Sequence, residues 1–165
     1  MSLIAAALIS ALLVVVATMD VFKRVLPNWG AIAILVVAVA ATVMADGVWA
    51  LPSHLGHFAL SLVVGFGLFA IGWIGGGDAK TYAALAAAVP ITSGHILLAY
   101  TAIAMFIVAA VWITVARVRR MRLSAEERRE AKDKGELFAK IPLGVAIAAG
   151  GLGYIWTIEQ TLPLG

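Results

Sequence analysis

Apolar residues fill this chain in long blocks, separated by short polar or Gly/Pro-bearing joints. They do not alternate as in a half-buried strand, and no polar face recurs as in a surface helix. About 17–25 apolar residues carry a helix across a hydrocarbon core about 30 Å thick. On that scale the blocks predict spans at Leu3–Met19, Trp29–Ala45, His57–Ile74, Asp78–Ile91, Gly94–Val115 and Ile141–Ile158. The joints are Pro27-Asn28, the stretch from Asp46 to His57 with Pro52, the run Gly75–Gly77, Thr92-Ser93-Gly94, and a polar stretch from Arg117 to Lys140. The fourth block is short and Ala-rich, with Pro90 near its end, so other helices are expected to shield it from lipid.

Charge turns this pattern into a topology. Lys23, Arg24, Lys80 and all nine basic residues from Arg117 to Lys140 fall on one side of such a bundle, and the opposite loops hold none. The positive-inside rule makes that side cytoplasmic and puts both termini outside. The expectation is an all-α integral membrane protein, one polytopic domain over residues 1–165 with about six transmembrane helices and a cytoplasmic polar loop at 117–140. No basic stretch precedes the first apolar block, so it is expected to be a retained helix and not a cleaved signal. Trp29, Trp49, Trp73, Trp112 and Trp156 fall near predicted span ends, where indoles favour the interface. At 63% hydrophobic and 13% charged, the composition excludes an ordinary soluble domain. The net charge of +3 is explained by topology, so no nucleic-acid partner is expected and lipid is. The absence of Cys removes disulfides, thiolate metal sites and a Cys nucleophile. In the polar stretch, Ser124 and Glu127 have the spacing of a capping box, and the solvated helix they predict suits an anionic leaflet.

Two carboxylates stand out. Asp20 and Asp78 are the acidic residues at or within apolar blocks on the basic side, each followed closely by a basic residue. A carboxylate at a membrane boundary must be solvated, paired or functional. Either one alone is more often a mark of where a helix leaves lipid. Two together can share a proton and activate water. The glycines before Asp78 predict a flexible joint at a helix N-terminus, where the dipole favours a charged carboxylate. Asp20, near a helix C-terminus, is placed oppositely, so the charge is expected on Asp78 and the proton on Asp20. Elsewhere, His54 and His57 share an outer loop with Asp46. They lack a third metal ligand, and interfacial polarity is the simpler reading. Neither a metal nor a cofactor is expected, and serine, zincin and P-loop signatures are absent.

Fuller motifs surround both carboxylates. Gly75-Gly76-Gly77-Asp78 fits the GxGD signature of intramembrane aspartyl proteases, which include presenilin and the preflagellin and prepilin peptidases. Asp20 followed by Lys23-Arg24-Val25-Leu26-Pro27-Asn28 resembles the prepilin peptidase pattern, with Leu26 in place of the usual Ile. Lys140-Ile141-Pro142-Leu143-Gly144-Val145-Ala146-Ile147 is similar to that family's Pro-x-Gly-x-Ala-Ile segment. The resemblance implies catalysis by Asp20 and Asp78, with Gly75, Gly77, Lys80, Pro27, Asn28, Pro142 and Gly144 in support. It implies a prepilin or pseudopilin substrate whose basic leader is cut at the cytoplasmic membrane. Without Cys, the chain looks like the short form found with tight-adherence (Tad/Cpa, Flp) pili, a peptidase with no clear methylating activity. Two other readings use the same residues: a small transporter or assembly subunit binding a cation or proton between the carboxylates, or a scaffold with structural boundary charges.

Overall fold

The computed structural model describes residues 1–24, 26–122 and 141–159, and the regular elements among them are helical. They are α1 (Leu3–Lys23), α2 (Asn28–Asp46), α3 (Leu51–Ala70), α4 (Gly76–Ala86), α5 (Gly94–Arg122) and α6 (Leu143–Tyr154). A π turn over Ile155–Glu159 continues α6, and short 3₁₀ turns at Val48–Ala50 and Ile91–Ser93 lead into α3 and α5. Four segments are long and apolar enough to cross a membrane: Leu3–Lys23, Asn28–Asp46, Val48–Ala70 and Ile91–Val118. The chain is a multi-pass all-α membrane protein.

Local chemistry fixes the helix ends and moves several expected boundaries. α1 starts where Ser2 Oγ accepts the Ala5 N–H at 3.3 Å. It runs past Met19 to Lys23 and stops at Arg24, in the left-handed region at φ 52°, whose N–H returns to the Asp20 carbonyl. Asp20 is therefore inside the last turn of α1 and not beyond it. α3 starts six residues before the expected His57, because Pro52 sits in its first turn, where a missing N–H does no harm. His54 and His57 are consequently helical and buried, at 6% and 5% exposure, and not part of an outer loop. α5 continues past Val115 to Arg122, which absorbs the first residues assigned to the polar stretch and leaves Trp112 inside a helix. The Ser124–Glu127 capping box lies outside the described residues.

α4 is the short element. Its 11 residues rise about 16 Å, roughly half a membrane, so it cannot cross alone. Ala79, Thr81 and Ala83 to Val89 are buried, as the shielding expectation required. α4 packs on α2, α3 and α6, while α6 packs on α1, α4 and α5. The two form the central column. Small residues permit the close approach: a Cβ on Gly150 would lie 2.5 Å from Thr101 Cα of α5, and one on Gly65 would lie 2.9 Å from Ala79 Cβ. Ile9, Leu13, Val16, Ile34, Leu85 and Tyr154 complete the core around the column.

The outer end of α4 is tied down by α3. Its carbonyls at Ala87 and Val89 would be left without partners inside an apolar bundle. His54 Nδ1 donates to Ala87 O at 3.0 Å, and His57 Nδ1 donates to Val89 O at 2.9 Å. Thr42 of α2 donates to Ala38 O and lies 3.2 Å from the same His54 nitrogen. Since a carbonyl only accepts, both rings carry the proton on Nδ1. These histidines are caps. Among the described residues no third metal-ligating side chain joins them.

Candidate active site

The other end of α4 carries Asp78 in its first turn. Its Oδ2 accepts the Gly75 N–H at 3.2 Å, which is half of a capping box, and glycine has no side chain to return the bond. Asp78 Oδ1 is buried and has no hydrogen-bond partner among the described residues. The glycine run is used for space and not for a left-handed turn, since the glycines with positive φ are Gly47 and Gly72. A Cβ on Gly77 would fall 2.7 Å from Leu26 Cβ, whereas one on Gly76 would make ordinary contact with the Phe69 ring at 3.5 Å. A side chain at Gly77 would drive α4 away from the segment joining α1 to α2.

Asp20 approaches from the opposite side of that segment. Pro142 is the N-cap of α6 and has no side-chain acceptor, so the first N–H groups of α6 need one from elsewhere. Asp20 supplies it. Its Oδ2 accepts the Gly144 N–H at 2.8 Å, and the Val145 N–H also bonds to this carboxylate. Asp20 is thus in the last turn of α1 by sequence but at the N-terminus of α6 in space. The expectation that a helix C-terminus would burden its charge is corrected by this contact, because the nearer dipole is the favourable end of α6. The Arg24 guanidinium is also near enough to act on it electrostatically.

The two carboxyls lie within electrostatic reach of each other: the charge of Asp20 acts on Asp78. α1 and α4 bring the two acids within this reach although they stand 58 positions apart in sequence. Leu26 fills the space beside them, its side chain reaching both Gly77 and Gly144. A Cβ on Gly144 would lie 2.8 Å from Asp20 Oδ2 and 2.9 Å from Leu26 Cδ2. Lys80 Nζ donates to Asn28 Oδ1 at 3.2 Å and links α4 to the start of α2, just after the N-cap Pro27. The supporting residues expected from the sequence lie at the starts of three helices, α2, α4 and α6. Leu26 and the Val145 N–H were not anticipated. The signal for the latter was Pro142, a helix start without an acceptor of its own.

A family model describing the type IV leader peptidase family matches residues 7–113. The chain belongs to the type IV leader peptidase family. The match covers Asp20, Pro27, Asn28 and the whole Gly75–Lys80 segment, and it ends before α6. No curated protein and no solved structure matches the chain. Membership makes it a peptidase of type IV leaders set in a membrane. Gly144 contacts Asp20 through its N–H, and Pro142 stands beside it as the N-cap of α6.

Proposed function

We propose that this peptidase is an intramembrane aspartic endopeptidase, with Asp20 and Asp78 as its catalytic pair. It removes the basic leader of type IV prepilins of the Flp/Tad type at the cytoplasmic face of the cell membrane. The observation that carries the reading is the meeting of two carboxyls from distant helices beside the N-terminus of a third. Two like charges within electrostatic reach disfavour double ionisation, so in this reading the pair holds one proton between them. The hydrogen bonds favour one resting place for it. Two main-chain donors converge on Asp20, whereas among the described residues Asp78 has one and an oxygen with none. Asp20 is then the base and Asp78 the acid, the reverse of the assignment drawn from helix ends in the sequence.

The chemistry follows from that placement. Asp20 takes a proton from water as its oxygen attacks the scissile carbonyl carbon. Asp78 gives its proton to the carbonyl oxygen. Collapse of the tetrahedral diol breaks the C–N bond, the leaving amine takes the proton held on Asp20, and a diol proton returns to Asp78. Gly75 and Gly144 hold the carboxyls through their N–H groups, and Lys80, Asn28, Pro27, Gly77 and Pro142 support the segments that carry them. Co-expression with a type IV prepilin, scored by the mobility shift on leader loss, tests the reading. Asp20→Asn and Asp78→Asn should each abolish the shift while the protein still accumulates in the membrane, and Asp46→Asn should process normally. Near-normal processing by either of the first two would reject the pair. A cation- or proton-binding subunit would give no shift with the unaltered chain.

A further inference from the structure

Leu26 stands at the join of α1 and α2, on a short linker fixed at both ends. Before it, Arg24 caps α1 in the left-handed region, its N–H returning to the Asp20 carbonyl at 3.1 Å. After it, Pro27 is the N-cap of α2, its φ of −72° set by the ring and its carbonyl taken by the Gly30 N–H at 3.1 Å. The partly buried Leu26 side chain then forks. Cδ1 lies 3.5 Å from where a Cβ on Gly77 would stand, and Cδ2 lies 2.9 Å from where one on Gly144 would stand. Gly77 immediately precedes Asp78 in the first turn of α4. Gly144, in the first turn of α6, holds Asp20 Oδ2 through its N–H at 2.8 Å. One methyl thus seats the helix end that carries one carboxyl, and the other seats the helix end that binds the second.

We propose that Leu26 is a positioning residue of the peptidase, a spacer whose forked side chain sets the separation of the Asp20 and Asp78 carboxyls. The inference rests on the catalytic pair proposed above and names what fixes its geometry. α4 and α6 pack on each other, and deeper in the bundle they meet directly, where a Cβ on Gly151 would fall 2.7 Å from Leu85 Cδ2. At the end that carries the carboxyls, Leu26 stands against both. Lys80 ties α4 to Asn28, two residues after Leu26, so this helix end is held toward the spacer and not away from it. Two carboxyls that share a proton and activate one water work at one separation. Too wide a gap uncouples them, and too narrow a gap leaves no place for the water. A close-packed interior closes only partly on a void, so the size of residue 26 is transmitted to the pair.

The sequence contains no Cys, so an introduced pair of thiols reports its own separation. Asp20→Cys with Asp78→Cys is oxidised in membranes, and disulfide formation is followed by the loss of maleimide labelling. Adding Leu26→Ala should raise the initial rate about threefold or more, because the two helix ends close on the space left. Leu26→Met keeps the volume and should stay within about twofold. Leu12→Ala, the same truncation of a partly buried leucine about two turns deeper on α1, should leave the rate unchanged. With the carboxyl pair intact, Leu26→Ala should lower kcat for a type IV prepilin about 10²-fold with KM within about twofold. Leu26→Met should restore kcat to within about threefold of the unaltered chain. Equal disulfide rates with Leu26 and Leu26→Ala, zero included, would overturn the proposal, and so would an equal rise in Leu12→Ala or an unchanged kcat in Leu26→Ala. Normal cleavage with unchanged disulfide rates rejects the spacer alone. The expected disulfide rates without cleavage by the unaltered chain reject the peptidase reading alone.

Discussion

At the scale of single residues, the site depends on where hydrogen bonds end. Asp20 and Asp78 were legible in the sequence because acids are rare at the edges of apolar blocks, and Gly75–Gly77 flagged the second. The division of labour proposed for them was not legible, because it is argued from the Gly144 N–H of α6, some 120 residues after Asp20 in the chain. Gly144 tests this. An alanine there would set its Cβ 2.8 Å from Asp20 Oδ2 and 3.0 Å from Asp20 Cβ, so the carboxylate must turn away. The exposed end of a side chain can yield without unfolding the bundle, but misplacing a catalytic group by about 1 Å can reduce rate by about 10²-fold. Gly144→Ala should accumulate and insert normally yet cleave prepilin about 10²-fold more slowly in a membrane time course. A rate within twofold of wild type would remove Gly144 from the site.

At the scale of elements, hydropathy located the long helices and misjudged their ends. Pro52 was read as part of a loop, though proline in a first turn starts a helix as readily as it ends one, and this displaced His54 and His57 to the wrong environment. Neither could be recognised as a cap, because the carbonyls they serve belong to residues 33 and 32 positions later. α4 needs them. It is too short to be held by lipid, and its outer end finishes in turns at Ala87 to Val89 without a side-chain acceptor or donor of its own. Removing a cap leaves a buried carbonyl unsatisfied, which costs about 1–3 kcal/mol. His57→Ala should lower the thermal stability of the detergent-solubilised protein by that amount, and His57→Asn should restore most of it, since the Asn side-chain amide can place an N–H near the same carbonyl. Equal loss in both variants would show that ring packing, and not the bond to Val89, secures α4. Chelators should leave the stability of wild type unchanged if the rings act as donors to carbonyls.

At the scale of the whole molecule, one regularity carries most of what the sequence could reveal. Every Lys and Arg falls at one end of the predicted bundle, and the described ones end α1, open α4 or end α5, the same end at which Asp20 and Asp78 meet. The short α4 was legible as a weak block needing shelter. The order of packing around it was not, because α2 and α6 reach α4 through Ala and Gly contacts that hydropathy does not weigh. Four segments cross by length, while α4 and α6 complete the column between them. The expected membrane orientation is the one that charge favours. Moving this basic end across the bilayer would carry Lys23, Arg24, Lys80 and the arginines ending α5 through the hydrocarbon, which the positive-inside bias opposes. Single-Cys labelling is again clean in a chain without Cys. Asp46→Cys, exposed where α2 ends, should react with a membrane-impermeant maleimide in intact spheroplasts. Arg122→Cys, exposed at the end of α5, should react only in inverted vesicles. Labelling of both from one side would contradict the placement of α2 and α5 ends on opposite faces. The reverse pattern would put the carboxyl pair outside and reject the cytoplasmic cleavage proposed above.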